Sequence, residues 1–163
     1  MADVEPLENT SCAHISVVDF RTGYERLPAN NYSALMNAVA TVGPVAISAA
    51  AEPWMSYEEG IFSDDCGADV DHAIVLVGYG NETVGTFRPE SKDYWLVRNS
   101  WGSGWGEDGY IRIERYGEGA EPCETDTTPQ DGTACKGGPS EITVCGLCGV
   151  LSDSSYPVGG AIP

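Results

Sequence analysis

Positive charge is what this sequence has least of. Eight Lys and Arg face 25 Asp and Glu, for a formal net charge of −17 at pH 7. Phosphate backbones and anionic headgroups repel such a surface, which argues against nucleic acid and anionic membrane as partners. Self-repulsion falls as carboxylates protonate, so an acidic compartment suits the chain. Long apolar runs are missing too. The run Ala73 to Val77 ends at Gly78-Tyr79-Gly80, far short of the ~20 residues of a membrane-spanning helix. The segment Met1-Ala2-Asp3-Val4-Glu5 has neither the basic nor the apolar region of a signal peptide, so any secretory signal is expected outside these residues. No internal repeat is visible. The 163 residues suffice for one domain with a core, and a single domain over 1–163 is expected.

Cysteine is not scarce. Six cysteines, N-x-S/T sequons at Asn9, Asn31 and Asn81, and the lack of a basic cluster favour a lysosomal, vacuolar or secreted glycoprotein. Residues 1–30 read as an extended entry, with His14 a surface or loop histidine. Tyr32, Leu35, Met36 and Val39 follow Asn30-Asn31 at helical spacing and stop at Gly43-Pro44, which predicts a helix at about 31–41. Val45 to Ala49 reads as a strand, Glu52 to Tyr57 as a turn or single helical turn, and Gly60-Ile61-Phe62 as extended chain. Asp64, Asp65, Asp69 and Asp71 make an acidic loop around Cys66, read as solvated at Asp64, Asp65 and Asp69. Ala73 to Val77 reads as a strand buried on both faces, and 81–92 as a surface loop. Residues 117–147 shift to Thr, Pro, Gly, Asp and Glu, an irregular insertion pinned by disulfides. The fold class is mostly β, α+β: a small antiparallel barrel-like sheet with one or two short helices.

The remaining stretch, Asp93 to Arg115, organises the rest. Tyr94 to Arg98 is a β-rich run that delivers Asn99 at its tip. Trp101-Gly102-Ser103-Gly104-Trp105-Gly106 sets indoles among glycines, a tight loop, and Tyr110 to Glu114 alternate in polarity as a second strand. The string N-S-W-G-S-G-W-G-E-D-G-Y-I-R-I resembles the asparagine segment of the papain and cathepsin L family of cysteine peptidases. Val70 to Gly80 resembles the family's catalytic-histidine strand, in the same order and at about the same spacing. Gly43 to Ile47, Gly60 to Phe62 and Cys148 to Val158 also resemble family strings. The likeness covers most of the chain outside about 117–147 and implies the family's right-hand lobe.

The resemblance implies roles. A cysteine peptidase needs a thiolate, a histidine that takes and returns a proton, and a group that fixes the imidazole. His72 would be the acid and base, Asn99 its orienting acceptor, and Trp101 a roof excluding water. The nucleophile is not where the family has it. The Cys-Gly-Ser/Ala-Cys-aromatic signature occurs nowhere before His72, and Cys12 in Thr10-Ser11-Cys12-Ala13-His14 resembles instead a cysteine that the family pairs with its other half. Cys145-Gly146-Leu147-Cys148 is no substitute, because Leu147 and Gly149 replace the signature's residues and it follows His72 and Asn99. It also lacks the strand-to-helix context of a redox pair. The resemblance pairs Cys66 with Cys148, which takes Cys148 out of a zinc site through Cys123, Cys135, Cys145 and Cys148. Cys123, Cys135 and Cys145 hold one undetermined pair and an odd thiol. No metal and no cofactor is expected.

The implied function is the C-terminal half of a cysteine endopeptidase, completed by a Cys-bearing N-terminal lobe and acting on peptide or protein substrates. The alternative is an inactive lobe, a pseudoenzyme serving as a structural or binding subunit for a protein partner. A disulfide-stapled module of another kind would leave His72, Asn99 and Trp101 without a role. The resemblance also implies a substrate pocket walled by Ala46, Val70 and Ala73. Asp153 would lie at its floor, either poised to pair with an arginine head or turned out to solvent.

Overall fold

A computed structural model describes residues 23–132 and 137–159. Asn9, Cys12, His14 and Cys135 lie outside them. In chain order the elements are β1 (Gly23–Arg26), α1 (Tyr32–Thr41), β2 (Val45–Ala49), β3 (Ile61–Phe62), β4 (His72–Val84), β5 (Glu90–Arg98), β6 (Tyr110–Arg115), β7 (Cys123–Asp126), β8 (Ile142–Cys145) and β9 (Ser154–Val158). Asn31 caps α1 by accepting from the Ala34 amide at 2.8 Å, so the predicted helix start has its expected mechanism. Glu52–Ser56 forms a single 3-10 turn that buries Trp54 completely.

Seven strands pair in the order β1-β9-β2-β4-β5-β6-β3. All pairings are antiparallel except β3 with β6. With β1 and β3 at opposite ends of that order, the sheet is open and not closed into a barrel. Val45, Ile47, Leu76, Trp95, Val97, Ile111 and Ile113 meet Leu35 and Val39 of α1 in one core. Arg115 ties three elements together around that core. Its guanidinium lies 5.8 Å from the Tyr32 ring, 5.5 Å from Tyr79 and 5.4 Å from Trp95, and it pairs with Asp93 at 3.3 Å.

Three expectations need correction. β4 is not buried on both faces: Ile74 and Leu76 point into the core while Ala73 and Val75 are exposed. The apolar run hides a period of two, because small and branched residues occupy the open face as well. The supposed loop at 81–92 is largely strand, since β4 continues to Val84 and β5 begins at Glu90. Cross-strand polar pairs hold that extension, among them Asn81 to Asp93 at 2.6 Å and to Ser91 at 2.8 Å. The insertion at 117–147 is also more regular than expected. β7 and β8 form an antiparallel pair closed by a Cys123–Cys145 disulfide, and Asp126 is buried at its far end with Oδ1 accepting from the Thr128 amide.

Candidate active site

His72 opens β4 and Asn99 follows the last residue of β5, so the pairing of these two strands sets their separation. The Nε2 of His72 lies 2.9 Å from the Oδ1 of Asn99. The Asn99 amide N–H donates to the Gly109 carbonyl at 2.9 Å, and Oδ1 also accepts from the Ser100 amide at 2.7 Å. That second donor settles which way the side-chain amide faces, because an N–H group there would meet another N–H. An acceptor at Oδ1 requires the proton on Nε2. The Nδ1 lone pair is thereby left free, and no hydrogen bond to it occurs among the described residues.

Aromatic rings enclose this pair. The Trp101 ring centroid lies 5.3 Å from that of His72, and Trp54 presents an edge at 6.4 Å. Trp101 stays 38% exposed whereas Asn99 is 7% exposed. Trp105 packs edge-on to Trp101 at 5.0 Å and donates its indole N–H to the Trp54 carbonyl at 3.0 Å. The Trp54 indole N–H in turn lies 3.4 Å from the Cys148 sulfur.

The loop that carries the indoles is braced by groups the motif reading passed over. Glu107 accepts from Arg112 Nε at 2.8 Å, from its Nη2 at 2.6 Å and from the Gly60 amide at 2.9 Å, and Arg112 also pairs with Glu82. The forked hydrogen bond from Arg112 holds the Glu107 carboxyl below its ordinary range, and the Gly60 amide adds to it. Gly106 is obligatory. Its φ is +54°, and a Cβ there would lie 2.7 Å from the Tyr110 carbonyl oxygen and 3.0 Å from the Tyr57 ring. The signal for the brace was present as opposite charges five residues apart in Glu107-Asp108-Gly109-Tyr110-Ile111-Arg112, a spacing that pairs across a tight turn.

The four residues suggested for a substrate pocket do not all come together. Ala46 and Ala73 lie on the open face of β2 and β4, in register with Val75 and Ser48 respectively. Asp153 reaches the same face, where Ser48 Oγ donates to its Oδ2 at 3.2 Å and Arg26 pairs with Oδ1 at 2.9 Å. Val70 is elsewhere. It is 1% exposed, its Cγ2 sits at Gly149, and Gly132 of the insertion lies against its carbonyl, so it is a packing residue and not an open wall. Ser48, which nothing in the sequence singles out, lies in register with Ala73 and donates to Asp153 on this face. Cys66 and Cys148 are joined by a disulfide that links the acidic loop to the turn before β9.

Solved structures that share this fold are cysteine proteases, which sets the class. Bromelain from Ananas comosus is 33% identical with a TM-score of 0.61, over 85% of this chain and 50% of that one. A cysteine protease of Carica candamarcensis is 38% identical with a TM-score of 0.58, over 85% of this chain and 49% of that one. Residues 6–133 match the papain family cysteine protease model, and the chain belongs to that family. Among curated relatives, cysteine endopeptidase Rep1 of Oryza sativa subsp. japonica is 38% identical over 147 residues, 90% of this chain and 31% of that protein. Vignain of Vigna mungo is 37% identical over 83% of this chain and 30% of that protein. The chain therefore spans about a third of the length of the curated relatives it matches.

Proposed function

We propose that this chain supplies the histidine and asparagine half of a cysteine endopeptidase site, with the attacking thiolate on a cysteine-bearing lobe outside these 163 residues. The observation that carries the reading is the 2.9 Å contact between His72 and an asparagine oxygen whose orientation the Ser100 amide fixes. The thiolate would attack a peptide carbonyl carbon, and the imidazolium of His72 would protonate the departing amine as the C–N bond breaks. Water, giving its proton to Nδ1, would then open the thioester, release the acid and restore the thiol. Asn99 keeps the ring aimed throughout, and Trp101 shields their hydrogen bond.

Two further observations support it. All four cysteines among the described residues are in disulfides, Cys66 with Cys148 and Cys123 with Cys145, so none of them is a free thiol beside His72. The open face of β2 and β4 exposes Ala46, Ala73 and Val75, a surface suited to a second lobe. A lysosomal, vacuolar or secreted setting accords with the two disulfides and with sequon residues Asn31 and Asn81 being exposed.

The isolated chain is expected to hydrolyse no peptide and to resist thiol-reactive peptide epoxides. Joined to a cysteine-bearing lobe, it should cleave peptides with a dependence on His72 of roughly 10²–10⁴-fold in rate. Epoxide labelling of Cys145 or Cys148 in the isolated chain, abolished by His72→Ala, would overturn the half-site reading. Asp153, with Ser48, Ala46 and Ala73, forms the acidic base of a subsite where an arginine side chain of the substrate would displace the exposed Arg26 from Oδ1. Asp153→Ala should remove preference for arginine over leucine there; an equal loss on both substrates would mark a structural role.

A further inference from the structure

A cavity of about 330 Å³ lies on the insertion side of the Cys66–Cys148 bridge, apart from His72 and the open face of β2 and β4. Its floor is apolar and buried, formed by Val144, Leu147 and Gly149 beside the disulfide. The rim is exposed and carries Asp65 from the acidic loop and Glu124 from β7. Among the described residues no lysine, arginine or histidine lines it. The remaining ionisable side chain, Tyr116, is pushed up from its ordinary value by burial and by Glu114, so its hydroxyl stays neutral. The volume falls in the range of small-ligand sites, roughly 300–1,000 Å³, and the combination of greasy floor and two anionic rim groups defines what would fit. A cation gains attraction from the two exposed rim carboxylates that a neutral molecule does not, and an anion would be repelled.

We propose that this cavity binds a small organic cation with an apolar body, such as an aryl amidinium or an alkylguanidinium. The body covers Leu147 and Val144 while the cationic head meets Asp65 and Glu124. Asp65 is pre-placed for this. Its Oδ1 accepts from the Gly67 amide at 2.9 Å, which holds the carboxylate at the rim with Oδ2 uncommitted among the described residues. The insertion makes the site, since Pro122, Glu124 and Val144 all belong to the β7–β8 unit or its approach.

Benzamidine and its neutral isostere benzamide test the idea on the 163-residue chain by amide NMR titration. Benzamidine should shift Gly67, Leu147 and Gly149 saturably, and benzamide should not. Asp65→Asn combined with Glu124→Gln should weaken benzamidine roughly three- to tenfold, as expected for two partly exposed charge pairs. Ala120→Trp, at an exposed rim position, should block binding without disturbing the core. No saturable shift with benzamidine, equal shifts with benzamide, or undiminished binding in both variants would overturn the proposal.

Discussion

Glu121 has one carboxyl oxygen, Oε2, buried without a hydrogen-bond partner among the described residues, while Oε1 accepts from the Tyr116 amide at 3.2 Å. Burial raises its pKa from the ordinary 4.5, against the opposing pull of the Gly117 and Tyr116 amides. The folded chain therefore holds this proton at a pH where the unfolded chain has released it. Stability from this group is full below about 4.5 and declines as pH rises through the folded value. Glu121→Gln removes that decline. It should raise Tm at pH 7 by roughly 1–2 °C and leave it unchanged at pH 4; a gain of equal size at both pH values would contradict the assignment. Gly106 acts through sterics instead of charge. Gly106→Ala should cost about 1–3 kcal/mol in denaturant unfolding, because the left-handed backbone and the Tyr110 carbonyl both oppose a methyl group.

The element on which the site depends is the loop from Trp101 to Gly109 between β5 and β6. Glu107 and Arg112 pin its far end, with side chains 26% and 19% exposed, so their forked pair is worth about 1–2 kcal/mol. Because the Glu107 pKa is lowered from its ordinary 4.5, this stability is present above that value and is lost as pH falls through the folded pKa. Glu107→Gln should lower stability at pH 6, with the deficit shrinking towards pH 3 in thermal melts. A deficit that persists undiminished at pH 3 would mean the carboxylate is not the source. Much of this element was legible in the chain, since His72, Asn99 and Trp101 fall in strings whose order and spacing resemble the papain family's. α1 and β2 were legible for a local reason: a capping asparagine, helical spacing and a Gly-Pro stop. What escaped is what depends on partners distant in sequence. The one-sided burial of β4 follows from Ile74 and Leu76 packing in one core with Leu35 and Val39 of α1, while Ala73 and Val75 lie on the open face. The 81–92 hairpin rests on cross-strand pairs, and the burial of Val70 rests on Gly132, far along the chain.

At the scale of the molecule, one disulfide joins the acidic loop to the turn before β9 and a second closes the insertion on itself. The Cys66–Cys148 bridge closes 82 residues and spans both site strands and the insertion, whereas Cys123–Cys145 closes 22 within one unit. In the chain-entropy picture the first is worth about 4–5 kcal/mol and the second about 3. Replacing Cys66 and Cys148 by serine should therefore cost more in urea unfolding than replacing Cys123 and Cys145, and the reverse order would contradict that picture. With Glu107 still ionised and Glu121 tending to protonate, the fold is suited to mildly acidic conditions, as its net charge of −17 also favours. The central claim is that Asn99 holds His72 with Nε2 protonated and Nδ1 free to serve a thiol. Nitrogen-15 NMR of the His72 ring at a pH where it is neutral measures this directly. The native chain should show the Nε2–H tautomer, and Asn99→Ala should shift it towards a mixture of tautomers. An Nδ1–H tautomer in the native chain, or an Nε2–H tautomer unchanged by Asn99→Ala, would contradict it.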